Sequence, residues 1–326
     1  MTQAPEVRLE ISRTLHDSEI SAVGALVERV TERDGTRPLS EHVMLHLRYG
    51  GDTDVRHVMA WDDDALVGYA HMDVTDPVDG PSAELAVDPA QRGRGIGAAL
   101  VTLLRRESPD GRLRLWSHGE HAAAGALAMS MGFTRSRVLW QMRRNLTAML
   151  PAPVVPDGIT IRTFVPGRDD EAWLALNAQA FADHPEQGAW TEQDLHNRLR
   201  EPWFDTEGFF LAERVSEATT ELVGFHWTKV HGGTLTHSHD GHELHTHAGH
   251  GHDPIGEIYV IGVAPQEAGT GLGKALALTG LCHLRAQGLA DAMLYVEADN
   301  ARAIGLYEAL GFRHWDTDVM YAAPLG

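Results

Sequence analysis

The sequence predicts an α/β protein, with mixed sheets of the α+β kind, in which one domain occurs twice in tandem. Three observations carry this. A glycine-rich run follows a short apolar stretch and opens an amphipathic helix at Val87-Asp88-Pro89-Ala90-Gln91-Arg92-Gly93-Arg94-Gly95-Ile96-Gly97, and again at Val263-Ala264-Pro265-Gln266-Glu267-Ala268-Gly269-Thr270-Gly271-Leu272-Gly273. Each copy is followed, at nearly the same separation, by a Gly-Phe pair that ends a further helix, Gly132-Phe133 and Gly311-Phe312, which marks an internal duplication. Between the halves, Leu150-Pro151-Ala152-Pro153-Val154-Val155-Pro156-Asp157-Gly158 holds three prolines, which neither a helix nor a central strand sustains. It reads as an extended connector, with domains over 1–150 and 151–326.

The elements follow in order. Alternation over Val7–Ile11 predicts an opening strand, and the 3.6-residue period over Glu19–Arg33 and Ser40–Arg48 predicts two helices. Apolar runs at Arg56–Ala60, Leu66–Met72 and Ala83–Val87 read as strands, and a helix over Gly95–Glu107 follows the glycine loop. A strand at Leu113–Ser117, a helix at Ala122–Met131 and a strand at Arg137–Arg143 complete the half, and the order repeats from Ile159 to Ala323. In the repeat, the helical run Leu276–Ala286 carries the only cysteine, Cys282, expected to be a buried packing residue.

Bulk properties narrow the partners. At 326 residues there is room for two domains with separate cores. A net charge of −19, from 27 basic and 46 acidic side chains, argues against nucleic acid or an anionic membrane and favours a small neutral or cationic substrate. No apolar run reaches the roughly 18 residues that span a bilayer and no leader pattern precedes the first strand, so a soluble, cytoplasmic monomer is expected. A single cysteine allows no internal disulfide, in keeping with a reducing compartment.

At each glycine loop, backbone N–H groups converge where the positive end of a helix dipole points, which makes a pyrophosphate cradle. A nucleotide-hydrolase loop would end in Gly-Lys-Ser/Thr, but Lys274 is followed by Ala275. A dinucleotide fold would place its glycines after the first strand of a unit, whereas several strands precede both copies. The spacing Arg92-x-x-Gly95-x-Gly97 after Val-x-Pro instead resembles the acyl-CoA loop of the GNAT superfamily of N-acetyltransferases, and both halves resemble that one fold.

The resemblance implies acetyl-CoA as cosubstrate and no required metal. In the first half it would be held by Leu85, Ala86 and Val87 and by Gly93, Arg94, Gly95, Ile96, Gly97 and Ala98. In the second half the implied contacts are Ile261, Gly262 and Val263 on the strand and Ala268, Gly269, Thr270, Gly271, Leu272, Gly273 and Lys274 in the loop. Asn300, Ala301, Arg302, Ala303, Ile304 and Gly305, at the head of the next helix, complete the set, with Asn300 also able to cap that helix.

Acetyl transfer to an amine needs a cradle, a donor to the thioester oxygen, a base for the ammonium and an acid for the departing thiolate. The second half has a group for each. The Val263 N–H can point at the carbonyl, and the resemblance implies a strand splayed at a bulge, so that the pantetheine arm adds like a strand. Tyr307, four residues before Gly311, stands where the family places its tyrosine, and a phenol of pKa about 10 can protonate a thiolate. Glu257 begins the strand Glu257–Val260, at the end nearest the acceptor in the family pattern, and can take the amine proton directly or through water. In the first half Ala128 holds the tyrosine position and His121 that of Asn300, so that domain is expected to hold acetyl-CoA without catalysing transfer.

The stretches Phe181-Ala182-Asp183-His184-Pro185-Glu186-Gln187-Gly188, Gly224–Lys229, Gly256–Val263 and Leu294-Tyr295-Val296-Glu297 narrow the resemblance to one branch of tandem GNAT enzymes, over nearly the whole chain. That branch implies a cysteinyl-glucosaminyl-inositol acceptor, acetylated on its cysteinyl amine, with contacts from Glu41, Glu186, Lys229, Glu257 and Tyr295. Carboxylates and a lysine suit an acceptor with one ammonium and a ring of hydroxyls. Two other readings stay open: a tandem transferase for another small amine, such as an aminoglycoside, a polyamine or a peptide N-terminus, and a non-enzymatic protein that senses acetyl-CoA and buffers metal. Tyr307 discriminates between transferase and sensor, because a sensor needs no acid at the sulfur.

The tract from His231 to His252 holds eight histidines among glycine, threonine and aspartate. Imidazoles at this density can bind zinc, nickel or copper, but the tract lacks a fixed spacing and a rigid frame. It is expected to be a solvated, mobile insertion between two strands, without a dedicated metal.

Overall fold

The computed structural model describes residues 7–50, 54–75, 80–109, 111–182, 185–215, 219–231 and 254–323. In chain order its elements are β1 (Arg8–Ser12), α1 (Asp17–Asp34), α2 (Glu41–Tyr49), β2 (Val55–Asp62), β3 (Ala65–Asp73), β4 (Ser82–Val87), α3 (Ile96–Glu107), β5 (Arg114–Ser117), α4 (Ala122–Ser130) and β6 (Thr134–Asn145). They continue with β7 (Ile159–Thr163), α5 (Asp170–Ala180), α6 (Pro185–Gly188), α7 (Glu192–Leu199), β8 (Phe209–Val215), β9 (Thr220–His231), β10 (Ile255–Val263), α8 (Leu272–Ala286), β11 (Asp291–Glu297), α9 (Ala301–Ala309) and β12 (Arg313–Ala322). The strand expected over 137–143 extends further at both ends, and the repeat carries three short helices, α5 to α7, where two were expected. No described helix is long and apolar enough to cross a membrane.

The chain forms two compact units, of the mixed α/β architecture expected. The N-terminal unit contains residues 1–140, 297–299 and 316–326, and the C-terminal unit residues 141–296 and 300–315. The units interleave along the chain, residues 297–299 and 316–326 belonging to the N-terminal one, and segment 151–156 is irregular as its prolines require. The reason is strand pairing. Residues 319–322 of β12 pair antiparallel with β5, Val319 opposite Ser117 and Ala322 opposite Arg114, so the N-terminal unit takes its last strand from the far end of the chain. Which sheet edge a closing strand joins is not encoded in its own alternation.

Within the N-terminal unit the strand order is β1-β2-β3-β4-β5-β12, antiparallel except for the parallel pair β4-β5. One core contains Val58, Met72, Leu100, Leu104, Leu115 and Phe133, and a second contains Val23, Leu26, Val30, Val43 and Tyr69. Ser40 caps α2, its hydroxyl accepting from the Val43 amide at 3.4 Å, which satisfies one of the amides a helix start leaves unpaired. In the C-terminal unit the order is β11-β10-β9-β8-β7, antiparallel except for β10-β11. Its core is aromatic: Trp173 of α5 meets Phe209 and Phe225 edge to face, both at 5.5 Å.

One close approach fixes α8 on its sheet. His226 is fully buried and its Nδ1 lies 2.7 Å from the Leu276 carbonyl oxygen, where the N–H donates. A Cβ at Gly280 would lie 2.1 Å from the imidazole, so only glycine allows the helix so near. Burial brings the His226 pKa down to about 4, against the pull of the Leu276 carbonyl, so the ring is neutral. Cys282, expected to be a buried packing residue, is partly buried on α8.

Candidate active site

Both glycine loops are built alike. Pro89–Gln91 and Pro265–Glu267 form 3-10 turns, after which Gly93 and Gly95, and Gly269 and Gly271, take positive φ angles of 77°, 86°, 88° and 94°. In that left-handed region a side chain is strained. Gly95 and Gly271 are the N-cap residues of α3 and α8 and offer no capping side chain, although in α8 the Leu272 amide donates to Thr270 Oγ1 at 3.4 Å.

In the N-terminal unit the loop opens onto a cavity of about 560 Å³. Of the residues expected to hold acetyl-CoA there, Leu85, Ala86, Val87, Gly93, Gly95, Ile96, Gly97 and Ala98 line it. Arg94 does not, and its guanidinium lies 3.3 Å from Asp62. Arg92 is held by Asp34 through two hydrogen bonds of 2.8 and 2.6 Å, which depress the Asp34 pKa and raise that of Arg92. The cavity follows from diverging strands: β4 and β5 pair from Ser82 to Glu84 only, and the parted ends, Leu85–Val87 and Ser117–His118, form its walls. Ala128 and His121 both border it, so the tyrosine position faces the cavity with a methyl group.

His118, on the wall of the same cavity, belongs to a charged cluster that sequence reasoning missed. His118 Nδ1 is 3.0 Å from Asp318 Oδ2 and its Nε2 3.5 Å from Glu84 Oε2. Burial opposes the charge, but the two carboxylates win and raise the His118 pKa to about 10. Burial likewise opposes ionisation of Glu84, yet His118 and the Ser40 amide, 2.5 Å away, hold its pKa below the usual value. No sequence spacing joins His118 to Asp318, because the contact needs β12 beside β5.

In the C-terminal unit β10 is irregular midway along its length. Its pairing with β11 is recorded only from Gly256 to Ile258, and its register with β9 shifts between Ile258 and Val260, a bulge at Tyr259. Ile261, Gly262 and Val263 lie beyond the point where β10 and β11 part. Asn300 caps α9, its side-chain oxygen accepting from the Ala303 amide at 3.0 Å, and Ala301, Arg302 and Gly305 are exposed along the helix. Leu272, Gly273 and Lys274 form the first turn of α8 beyond Ala268, Gly269, Thr270 and Gly271. Glu267, buried below this loop, accepts 2.8 and 2.6 Å hydrogen bonds from Arg214, while Thr270 Oγ1 donates to its carbonyl at 2.9 Å.

Tyr307 is 7 % exposed and packs edge to face on Phe312 at 5.9 Å. Burial pushes its pKa up to about 12, so the phenol keeps its proton at neutral pH. Glu257 is buried and lies directly opposite Lys229 of β9, while its Oε2 is 2.6 Å from His231 Nε2. Lys229 Nζ sits over Trp203 at 4.4 Å and Tyr259 at 5.1 Å. Arg198 of α7 extends the same wall, donating to the Tyr259 hydroxyl at 2.7 Å and lying 3.8 Å from the Trp190 centroid. The arrangement is a polar strand pair backed by aromatic faces.

The other expected acceptor contacts lie on separate elements. Tyr295 is 42 % exposed on β11, with its hydroxyl accepting from Gln141 Nε2 at 2.8 Å. Glu41 is the first residue of α2, in the N-terminal unit. Glu186 lies in α6, its side chain outside the described residues, as is the histidine tract beyond His231. Trp190, Arg198, Trp203 and Tyr259 were not expected; the only signal was tryptophan density, which reads equally as core.

An Acetyltransferase (GNAT) family model matches residues 173–312 and an Acetyltransferase (GNAT) domain model residues 53–135. Mycothiol acetyltransferase of Acidothermus cellulolyticus is 55% identical over 325 residues, 98% of this chain and 96% of that protein. Mycothiol acetyltransferase of Streptosporangium roseum is 52% identical, covering 96% of this chain and 98% of its own. Among solved structures, a tandem GNAT protein from the clavulanic acid biosynthesis pathway aligns with a TM-score of 0.70 at 20% identity, over 98% of this chain and 99% of that one. A GCN5-related N-acetyltransferase from Sphaerobacter thermophilus aligns with a TM-score of 0.64 at 24% identity, over 98% and 96%. These two share the fold.

Proposed function

The chain belongs to the mycothiol acetyltransferase family of tandem GNAT proteins, and from that premise we propose that it acetylates the cysteinyl amine of 1D-myo-inositol 2-(L-cysteinylamino)-2-deoxy-glucopyranoside, the last step of mycothiol synthesis. It is an acetyl-CoA-dependent N-acetyltransferase. The observation that carries the assignment is the near full-length identity to proteins of that name, with Glu257, Lys229 and Tyr259 gathered where β10 parts from β11.

The C-terminal unit performs the transfer. Glu257 accepts a proton from the cysteinyl ammonium, directly or through water. The free amine attacks the thioester carbonyl, the developing oxyanion is met by the Val263 N–H, the C–N bond forms and the C–S bond breaks. Tyr307 gives its proton to the departing CoA thiolate, and the second proton of the attacking nitrogen, released through solvent as the amide forms, restores the Tyr307 phenol. Loop residues Ala268 to Lys274 hold the pyrophosphate through main-chain amides, and Asn300 to Gly305 flank the pantetheine arm. Lys229, Tyr295 and Glu186 contact the sugar and inositol hydroxyls. The N-terminal unit holds a second acetyl-CoA in its cavity and does not catalyse, because Ala128 offers no proton to sulfur. The protein acts in the cytoplasm as a monomer.

The test is mass spectrometry of the product after incubation with acetyl-CoA and the cysteinyl-glucosaminyl-inositol, with CoA thiol release followed alongside. An acetyl group on the cysteinyl nitrogen supports the assignment. CoA release only with other amines would replace the substrate and keep the reaction class.

A further inference from the structure

Three histidines that none of this chemistry uses meet in the core of the N-terminal unit. His57 and His71 lie directly opposite each other on β2 and β3, each 2 % exposed. His46, on α2, covers them from the helix side: its ring centroid is 5.7 Å from that of His57 and 5.2 Å from that of His71, and the strand pair closes the triangle at 5.3 Å. One nitrogen from each ring lies within 4.8 Å of one from each of the others. Three imidazoles radiating from a tetrahedral ion, with metal–nitrogen bonds of about 2.0–2.1 Å, would have their centroids roughly 5 Å apart.

Two observations set the cluster apart from ordinary packed rings. Both nitrogens of His71 are buried without a hydrogen-bond partner among the described residues. Buried polar groups are rarely left unpaired, because an unmet donor or acceptor has lost its hydration with nothing in return. His57 Nδ1, in contrast, is 2.7 Å from the Tyr69 hydroxyl. With Nδ1–H donating to that oxygen, the Nε2 lone pair is free, the outer-shell arrangement by which metal-bound histidines are oriented.

We propose that His46, His57 and His71 form a three-histidine site for a late first-row divalent cation, of which Zn²⁺ is the probe, and that the ion pins α2 to β2 and β3. The nitrogen donor set suits zinc, copper or nickel over magnesium or calcium. The site departs from the metal-free expectation, and it is distinct from the histidine tract between β9 and β10.

The experiment uses full-length, tag-free protein in which the tract histidines His237, His239, His242, His245, His247, His250 and His252 are changed to serine. After equilibration with Zn²⁺ and passage over a weak chelating resin, elemental analysis should find one zinc per chain. Anomalous diffraction should place it within bonding distance of the three imidazoles. His71→Gln, and separately His46→Ala on the more accessible helix, should each remove that equivalent and abolish the zinc-induced rise in Tm. Circular dichroism reports whether each variant is folded, and His46→Ala decides if His71→Gln is not. Zinc absent from the tract-substituted protein, or one equivalent still bound in His46→Ala, overturns the proposal.

Discussion

His231 Nε2 lies 2.6 Å from Glu257 Oε2, on neighbouring strands β9 and β10. The first histidine of the tract therefore orients the carboxylate proposed as base, while Lys229 stands opposite it in register. Glu257→Gln should lower kcat by about 10² to 10⁴. His231→Ala, which leaves the carboxylate but frees its rotamer, should lower kcat by roughly tenfold. Steady-state kinetics on both variants tests this, and an unchanged kcat in Glu257→Gln removes the base.

Tyr307→Phe keeps the edge-to-face packing on Phe312 and removes the proton. Turnover should fall by on the order of 10² with acetyl-CoA affinity little changed. Because burial holds this phenol protonated up to about pH 12, its ionisation should contribute no alkaline fall in kcat over the range in which the protein is assayed. A full kcat–pH profile of wild type and variant decides, and equal turnover would leave the sulfur's proton donor unassigned.

The two cradles can be separated by their glycines. Gly95→Val and Gly271→Val each place a branched side chain at positive φ, 86° and 94°, where it is strained by about 1–2 kcal/mol or more. Calorimetric titration should show one acetyl-CoA site lost in each. Transfer should be abolished only in Gly271→Val; loss of transfer in Gly95→Val with the other site still filled would make the N-terminal unit catalytic.

His118 links stability to pH. Its folded pKa, about 10, exceeds the ordinary 6.5, so its contribution is complete below 6.5 and is lost as pH rises through about 10. His118→Gln leaves Glu84 and Asp318 without their cation and should cost about 3–5 kcal/mol near neutral pH. That deficit should shrink as the pH approaches 10. Denaturant unfolding at several pH values reads it, and a deficit that stays constant would mean that the imidazole is not charged.

The duplication, both glycine loops, the helix that Asn300 caps and most element positions were legible in the chain, because each rests on a local pattern: glycine where φ turns positive, periods of two and 3.6, prolines that stop both. Glu257 and Tyr307 could be named from their spacing to a strand and to a Gly-Phe pair. The aromatic wall of Trp190, Arg198, Trp203 and Tyr259 could not, since a tryptophan in sequence reads the same whether it fills a core or carries a cation on its face. Nor could His46 be joined to His57 and His71, which only the packing of α2 on the β2–β3 pair brings together, or His118 to the distant Asp318, which strand order places beside it. Short-range sterics and hydrogen bonding, which act between neighbours, let the sequence by itself determine what each segment is. Which segments share a sheet edge, and hence which ionisable groups lose water together and change one another's charge, was decided by the tertiary structure, because desolvation and Coulomb interactions depend on distance in space.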